Sequence, residues 1–175
     1  LSIIIFNLCL LESYASNKNI TFNNLNIEQG ISQSTAEIIF QDSKGYIWIG
    51  TSDGLVKFYK SNGTSIKYTD EDGLSNNTVY GVLIDDDGNP WASTNKGISK
   101  LNPETGKIEN LSVTDGLQSN EFNGNASFKS ESGELFFGGI NGLNAFYPQD
   151  INKMNSGTKV LFDGFNIDHK EYSNI

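Results

Sequence analysis

One stretch of this chain recurs three times, and that recurrence limits the possible folds more than any other feature. Gly30 to Tyr59 reads GISQSTAEIIFQDSKGYIWIGTSDGLVKFY. Gly73 to Leu101 reads GLSNNTVYGVLIDDDGNPWASTNKGISKL, and Gly116 to Tyr147 reads GLQSNEFNGNASFKSESGELFFGGINGLNAFY. The opening glycines lie 43 residues apart in both steps, and the same spacing separates Gly45 from Gly88 and Gly54 from Gly97. The third copy carries two extra residues before its turn, so Gly88 and Gly133 are 45 apart. A fixed period in the forties marks a repeat architecture whose units bury their apolar faces against one another.

Each copy reads as a short antiparallel meander. Runs of strand length come first: Ala36–Phe40, Val79–Ile84 and Ala126–Phe128. A polar turn follows, closed by Gly45, Gly88 or Gly133, where glycine accepts the positive φ that hairpin turns need. The second strands are Tyr46–Thr51, Pro90–Thr94 and Glu134–Gly138. After a second glycine turn come Leu55–Tyr59, Ile98–Leu101 and Leu143–Tyr147. Ser65–Tyr68 and Lys107–Leu111 are fourth strands, and Ile20–Leu25 is a matching segment ahead of the first copy. Four short strands in about 40–45 residues is the size of one propeller blade. The expected fold is all-β: a partial β-propeller of about three four-stranded antiparallel blades, at about 20–70, 71–113 and 114–150 within a propeller region 16–150. Three blades do not close a ring, which typically takes four to eight.

Composition narrows the function. The chain has 175 residues, a net charge of −9, 18 glycines and 3 prolines. The acidic balance argues against nucleic acid, whose phosphates need a basic patch, and against an anionic membrane surface. No apolar stripe at helical spacing is present.

The candidates for chemistry fare poorly against their structural alternatives. Asp85-Asp86-Asp87-Gly88-Asn89 opens like a calcium loop, but Pro90 and Lys96 fall where that loop needs glycine and glutamate. It reads instead as the repeat turn. Trp48 and Trp91 occupy equivalent positions; core residues must repeat whereas ligand residues need not, so blade-to-blade packing is favoured over sugar stacking. Phe136 keeps the bulk in the third copy. Gly138-Gly139-Ile140-Asn141-Gly142 lacks the Lys-Ser/Thr of a phosphate loop and reads as a tight turn. His169 has no nucleophile pattern near it. One His and one Cys cannot build a metal cluster. Phe22, Phe40, Tyr46, Phe58, Tyr59, Tyr68, Phe128, Phe137, Phe146 and Phe162 read as core or blade contacts. No catalytic, cofactor-binding or metal-ligating residue is expected, and no cofactor.

The repeat resembles the two-component regulator propeller repeat. The first copy meets its pattern with Gly30, Ser32, Asp42, Gly45, Trp48, Gly50, Thr51, Gly54, Lys57 and Phe58. The second does so with Gly73, Leu74, Ser75, Asp85, Gly88, Trp91, Thr94, Gly97 and Lys100. The third departs, with Phe136 for Trp, Gly138-Gly139 for Gly-Thr, and Pro148 after Asn144-Ala145-Phe146. It is similar to the last repeat before a Y_Y_Y β-sandwich domain, and Lys159–Ile167 resembles the first strand of that sandwich, placing its start at 158–175. The resemblance implies part of the extracytoplasmic sensor of a two-component regulator, taking a small-molecule or oligosaccharide ligand and doing no chemistry itself. A propeller-type lyase and a structural interaction module are the alternatives. An enzyme should bring His, Arg, Tyr or carboxylates to one face, and the chain has a single His.

The ends are read as a truncated signal peptide and a fragment boundary. Leu1–Leu11 is an apolar run, and Ser13 and Ala15 fit the small-x-small rule for cleavage before Ser16, giving a signal segment at 1–15. Cys9 lies inside it and lacks the small residues that precede a lipidated cysteine. The expected location is periplasmic or cell-surface, with membrane attachment only through missing downstream segments. Self-association through the propeller or sandwich is the expected consequence of uncovered end blades.

Overall fold

The computed structural model describes residues 35–154, 164–167 and 170–173. It is built almost wholly from antiparallel sheet. The first sheet is a meander of β1 (Ala36–Gln41), β2 (Ile47–Thr51), β3 (Gly54–Tyr59) and β4 (Thr64–Tyr68). The second repeats it with β5 (Val79–Ile84), β6 (Pro90–Thr94), β7 (Gly97–Leu101) and β8 (Ile108–Leu111). The third has three strands: β9 (Phe122–Lys129), β10 (Leu135–Gly139) and β11 (Gly142–Phe146). A separate hairpin pairs β12 (Gly164–Ile167) with β13 (Lys170–Ser173).

The repeat phase follows from the turns. Gly45, Gly88 and Gly133 have φ of +84°, +86° and +87°, so the three β-turns share one left-handed geometry. At each, the glycine N–H donates to the carbonyl three residues back. Along the strands successive side chains alternate between faces, except where the register shifts in the pairing of the first strand of each blade. In β2, Trp48 turns toward the second sheet, while Ile47 and Ile49 join Val56 and Phe58 in a separate apolar cluster on the other side.

The main core lies between sheets. Trp48, Leu55 and Tyr68 of the first sheet meet Val79, Val82, Ile84, Ala92 and Leu101 of the second. Leu83, Trp91 and Ile98 of the second meet Phe122, Leu135 and Phe137 of the third. The first strands β1, β5 and β9 pack on one another, so the sheets fan out from a common inner edge. This is blade packing of a propeller.

Several expectations need correcting. Phe128 is 64% exposed rather than a blade contact, and Phe136 is only half-buried. Both lie on the face of the third sheet turned away from the second, and no described sheet covers it. Phe137, one residue on, takes the fully buried place. A short helix, α1 (Pro148–Met154), follows β11. Proline at its first position costs nothing there, and Ile151 packs on the second core. Seven residues are too few to show a helical stripe in sequence. Between blades, Asp70–Asp72 and Val113–Asp115 form 3-10 turns. Asp72 and Asp115 accept from the backbone N–H of Thr69 (2.8 Å) and Ser112 (2.9 Å), which closes each turn just before the Gly-Leu that opens the next copy. The signal segment 1–15 with Cys9, the segment Ile20–Leu25, Phe22, Gly30, Ser32, Phe162 and His169 lie outside the described residues.

Candidate functional site

The first two copies build the same three-residue unit at one end of the blades. Asp42 sits in the β1–β2 turn. Its Oδ1 accepts from the backbone N–H of Lys44 at 3.0 Å and of Tyr46 at 2.9 Å. Its Oδ2 accepts from the Trp48 indole N–H at 2.9 Å. Lys57, paired with Trp48 across β2 and β3, lays its ammonium 5.3 Å from the indole centroid. Asp85 repeats this arrangement. Its Oδ1 accepts from the Asn89 N–H at 2.8 Å, its Oδ2 from the Trp91 indole at 3.0 Å, and Lys100 stands 5.2 Å from the Trp91 ring.

The third copy has Ser130, Phe136 and Ala145 at the three positions, so carboxylate, indole and ammonium are lost together. A buried indole N–H without an acceptor costs about 1–3 kcal/mol, and the turn carboxylate removes that cost. The acidic turn is therefore an indole clamp, not a cation loop. Trp48 and Trp91 are both 0% exposed, which leaves no ring face for a sugar and settles their role as packing.

A second clasp explains the Gly-Leu-Ser opening of the repeat. The Ser75 N–H donates to Ser99 Oγ at 2.9 Å, and Ser75 Oγ shares a hydrogen with Thr94 Oγ1 at 2.9 Å. Ser99 Oγ donates to Asn110 Oδ1 at 2.7 Å, and Asn110 Nδ2 returns to the Gly73 carbonyl at 2.9 Å. The third copy keeps the clasp in altered form, with the Gln118 N–H donating to Asn144 Oδ1 at 3.0 Å.

Two adjoining clefts open between the first and second blades, at the end that carries the Asp turns. The larger, about 460 Å³, is walled by Asp87, Asn89, Asn102, Lys107 and Glu109, among others. The smaller, about 220 Å³, lies beside Asp42, Tyr46 and Lys57, with Gly88 and Pro103 opposite. Lys44 and Glu104 line both and form an ion pair at 3.4 Å between them. That pair is exposed, so it contributes at most about 1 kcal/mol. Lys107 bonds Glu109 at 2.6 Å and, with a lesser contribution from Lys100, holds the Glu109 carboxyl below its usual pKa. A third cleft, about 250 Å³, lies between the second and third blades beside α1 and is walled largely by Leu111, Leu117, Phe146 and Ile151. Among the described residues, no three His, Cys, Asp or Glu side chains are grouped to hold a metal ion.

Comparison with known proteins places this geometry. A family model described as two component regulator propeller matches residues 30–53. The first copy matches the two-component regulator propeller repeat. The same Asp-Gly-Trp-Thr-Gly framework then runs through the second copy, beyond the matched span. Histidine kinase P4 of Formosa agariphila is 40% identical over 57 residues, which is 33% of this chain and 4% of that protein. The extracellular domain assigned to the hybrid two component system BT3049 of B. thetaiotaomicron is 30% identical, with a TM-score of 0.69 over 76% of this chain and 18% of that one. The corresponding domain of BT4673 is 28% identical, with a TM-score of 0.53 over 64% of this chain and 16% of that one. The chain thus spans 18% or less of each of these relatives. They are a histidine kinase and two hybrid two-component systems, and the solved ones are extracellular domains.

The sequence predicted no site residues. The clefts join side chains that repeat, Asp42 and Lys57, to others that do not, Tyr46, Pro103 and Glu104. The signal available in the sequence was the positions where one copy departs from the next.

Proposed function

We propose that this chain is a ligand-sensing part of the extracytoplasmic region of a two-component signalling protein, and that it binds its ligand without transforming it. The observation that carries the reading is the blade-for-blade likeness to extracellular domains of hybrid two-component systems, over 76% of the chain in one case. The local geometry supports it: the repeated carboxylates Asp42 and Asp85 are spent on turn N–H groups and an indole, a structural use of both side chains. Export by the apolar segment at 1–15 belongs to the same proposal, as does a ligand of small-molecule or oligosaccharide class.

Two measurements test it. Alkaline phosphatase fused after residue 60 should be active in the periplasm of a bacterial host, and removal of 1–15 should abolish that activity. A panel of oligosaccharides should raise the melting temperature of the chain without any being consumed. Release of new reducing ends would favour the lyase alternative instead.

A further inference from the structure

Lys57 departs from its repeat in what surrounds it. It is equivalent to Lys100, 43 residues on. The cross-strand neighbour of Lys100 is the acid Glu109, whereas that of Lys57 is Ile66. Where the second copy has Asn89 and Asn102, the first has Tyr46 and Tyr59. The first copy has thus exchanged a carboxylate for aromatic rings. The Lys57 ammonium lies 4.3 Å from the Tyr46 centroid, 5.2 Å from that of Tyr59 and 5.3 Å from the Trp48 indole. Ring faces stabilise the charge, but they leave its three N–H donors without strong acceptors.

Lys57 is only 6% exposed. Among the described residues, no carboxylate lies in ion-pair range of it and no acceptor is hydrogen-bonded to it. The nearby acids are engaged: Asp42 takes three N–H groups, and Glu104 pairs with Lys44. The Lys57 stem is buried, but its ammonium is not among the sealed, unpartnered polar atoms of the described residues: it opens on the 220 Å³ cleft, where its acceptors come from outside the chain.

We propose that this cleft binds an oxyanion carried on a small hydroxylated molecule, a sugar acid being the simplest case. Lys57 donates to the oxyanion, and the two tyrosines hold the ammonium in place. The hydroxyls extend past Lys44 into the adjoining cleft, where Asn102 and Lys107 donate and Asp87 accepts. Packing residues must repeat from blade to blade; Tyr46, Tyr59 and Ile66 do not, as binding residues are free not to. The inference stands apart from the sensor reading, because binding is read on the chain itself.

Isothermal titration of the whole chain with galacturonate, galactose, acetate and inorganic phosphate tests it. The salt is set at 0.15 M, where the Debye length of about 8 Å screens the net negative charge. Galacturonate should bind saturably with one site. Galactose, acetate and phosphate should each bind at least tenfold more weakly. Lys57→Met should abolish binding. Ile66→Glu, at an exposed strand edge, gives Lys57 the internal carboxylate that Lys100 already faces. It should weaken galacturonate at least tenfold with the melting temperature unchanged. Lys96→Met, exposed and outside the lining of both clefts, should change affinity less than threefold. No saturable binding by the parent chain would overturn the proposal, as would equal binding by Lys57→Met and Ile66→Glu. Acetate or phosphate bound as tightly as galacturonate would overturn the hydroxylated class of ligand.

Discussion

At the scale of single residues, the aspartate and the tryptophan of the first two blades are one device. Trp91 fills the space between the second and third blades, touching Phe146 with ring centroids 5.1 Å apart. Trp91→Ala should destabilise the chain by about 3–5 kcal/mol, as loss of a large aromatic core residue does. Trp48→Ala should do the same between the first and second blades. Asp85→Asn and Trp91→Phe test the clamp itself. Each should cost about 1–3 kcal/mol alone, because each strands a polar partner. Made together they should cost clearly less than the sum, and urea unfolding of the four proteins of that cycle measures the difference. Strict additivity would show that the indole bond contributes nothing beyond packing. The natural third copy, with Ser130 and Phe136, lacks both partners together.

At the scale of elements, the glycines that close the second hairpin turns of the first two blades, Gly54 and Gly97, are fixed by what lies against them. Gly97 has φ +108°, and a Cβ there would collide with the Leu111 carbonyl of the neighbouring strand. Gly116 has φ +98° but open space around it. Gly116→Ala should therefore cost roughly the 1–2 kcal/mol of a left-handed alanine. Gly97→Ala should cost distinctly more, because β8 must also shift. Comparable melting temperatures for the two variants would contradict this. Such strand and turn positions were legible in the sequence because repetition supplies an internal check: a misplaced strand in one copy would disagree with the other two. The predicted Val79–Ile84 and Pro90–Thr94 coincide with β5 and β6. What does not repeat was not legible. The α1 helix occurs once and is short. The Asp72 and Asp115 caps do repeat, but they act through backbone N–H groups, which leave no apolar pattern. The Tyr46, Lys57 and Tyr59 cluster arises only when β2 and β3 pair in register. Each of its members, read alone, is an ordinary strand residue.

At the scale of the whole molecule, the third blade presents an apolar face that its predecessors bury. Phe128 and Phe136 occupy the row that Leu83 and Trp91 fill in the second blade, and their ring centroids lie 6.1 Å apart. Phe128 is 64% exposed and Leu143, on the same face, 62%. In the second blade the corresponding residues Leu83 and Ile98 are 5% and 0% exposed, covered by the third blade. A contiguous apolar patch of this kind drives association in water. Repeat units also draw most of their stability from their neighbours, so an end blade gains from any partner that covers it. The chain freed of residues 1–15 should therefore self-associate in a concentration-dependent way, read by size-exclusion chromatography with light scattering. Phe128→Lys combined with Leu143→Lys places two charges on the face while leaving the Phe122, Leu135 and Phe137 side of the blade intact. That variant should run as a monomer with little change in melting temperature at low protein concentration. A parent chain that is already monomeric, with a sharp cooperative melt at high temperature, would show that three blades are sufficient and that the exposed face needs no cover.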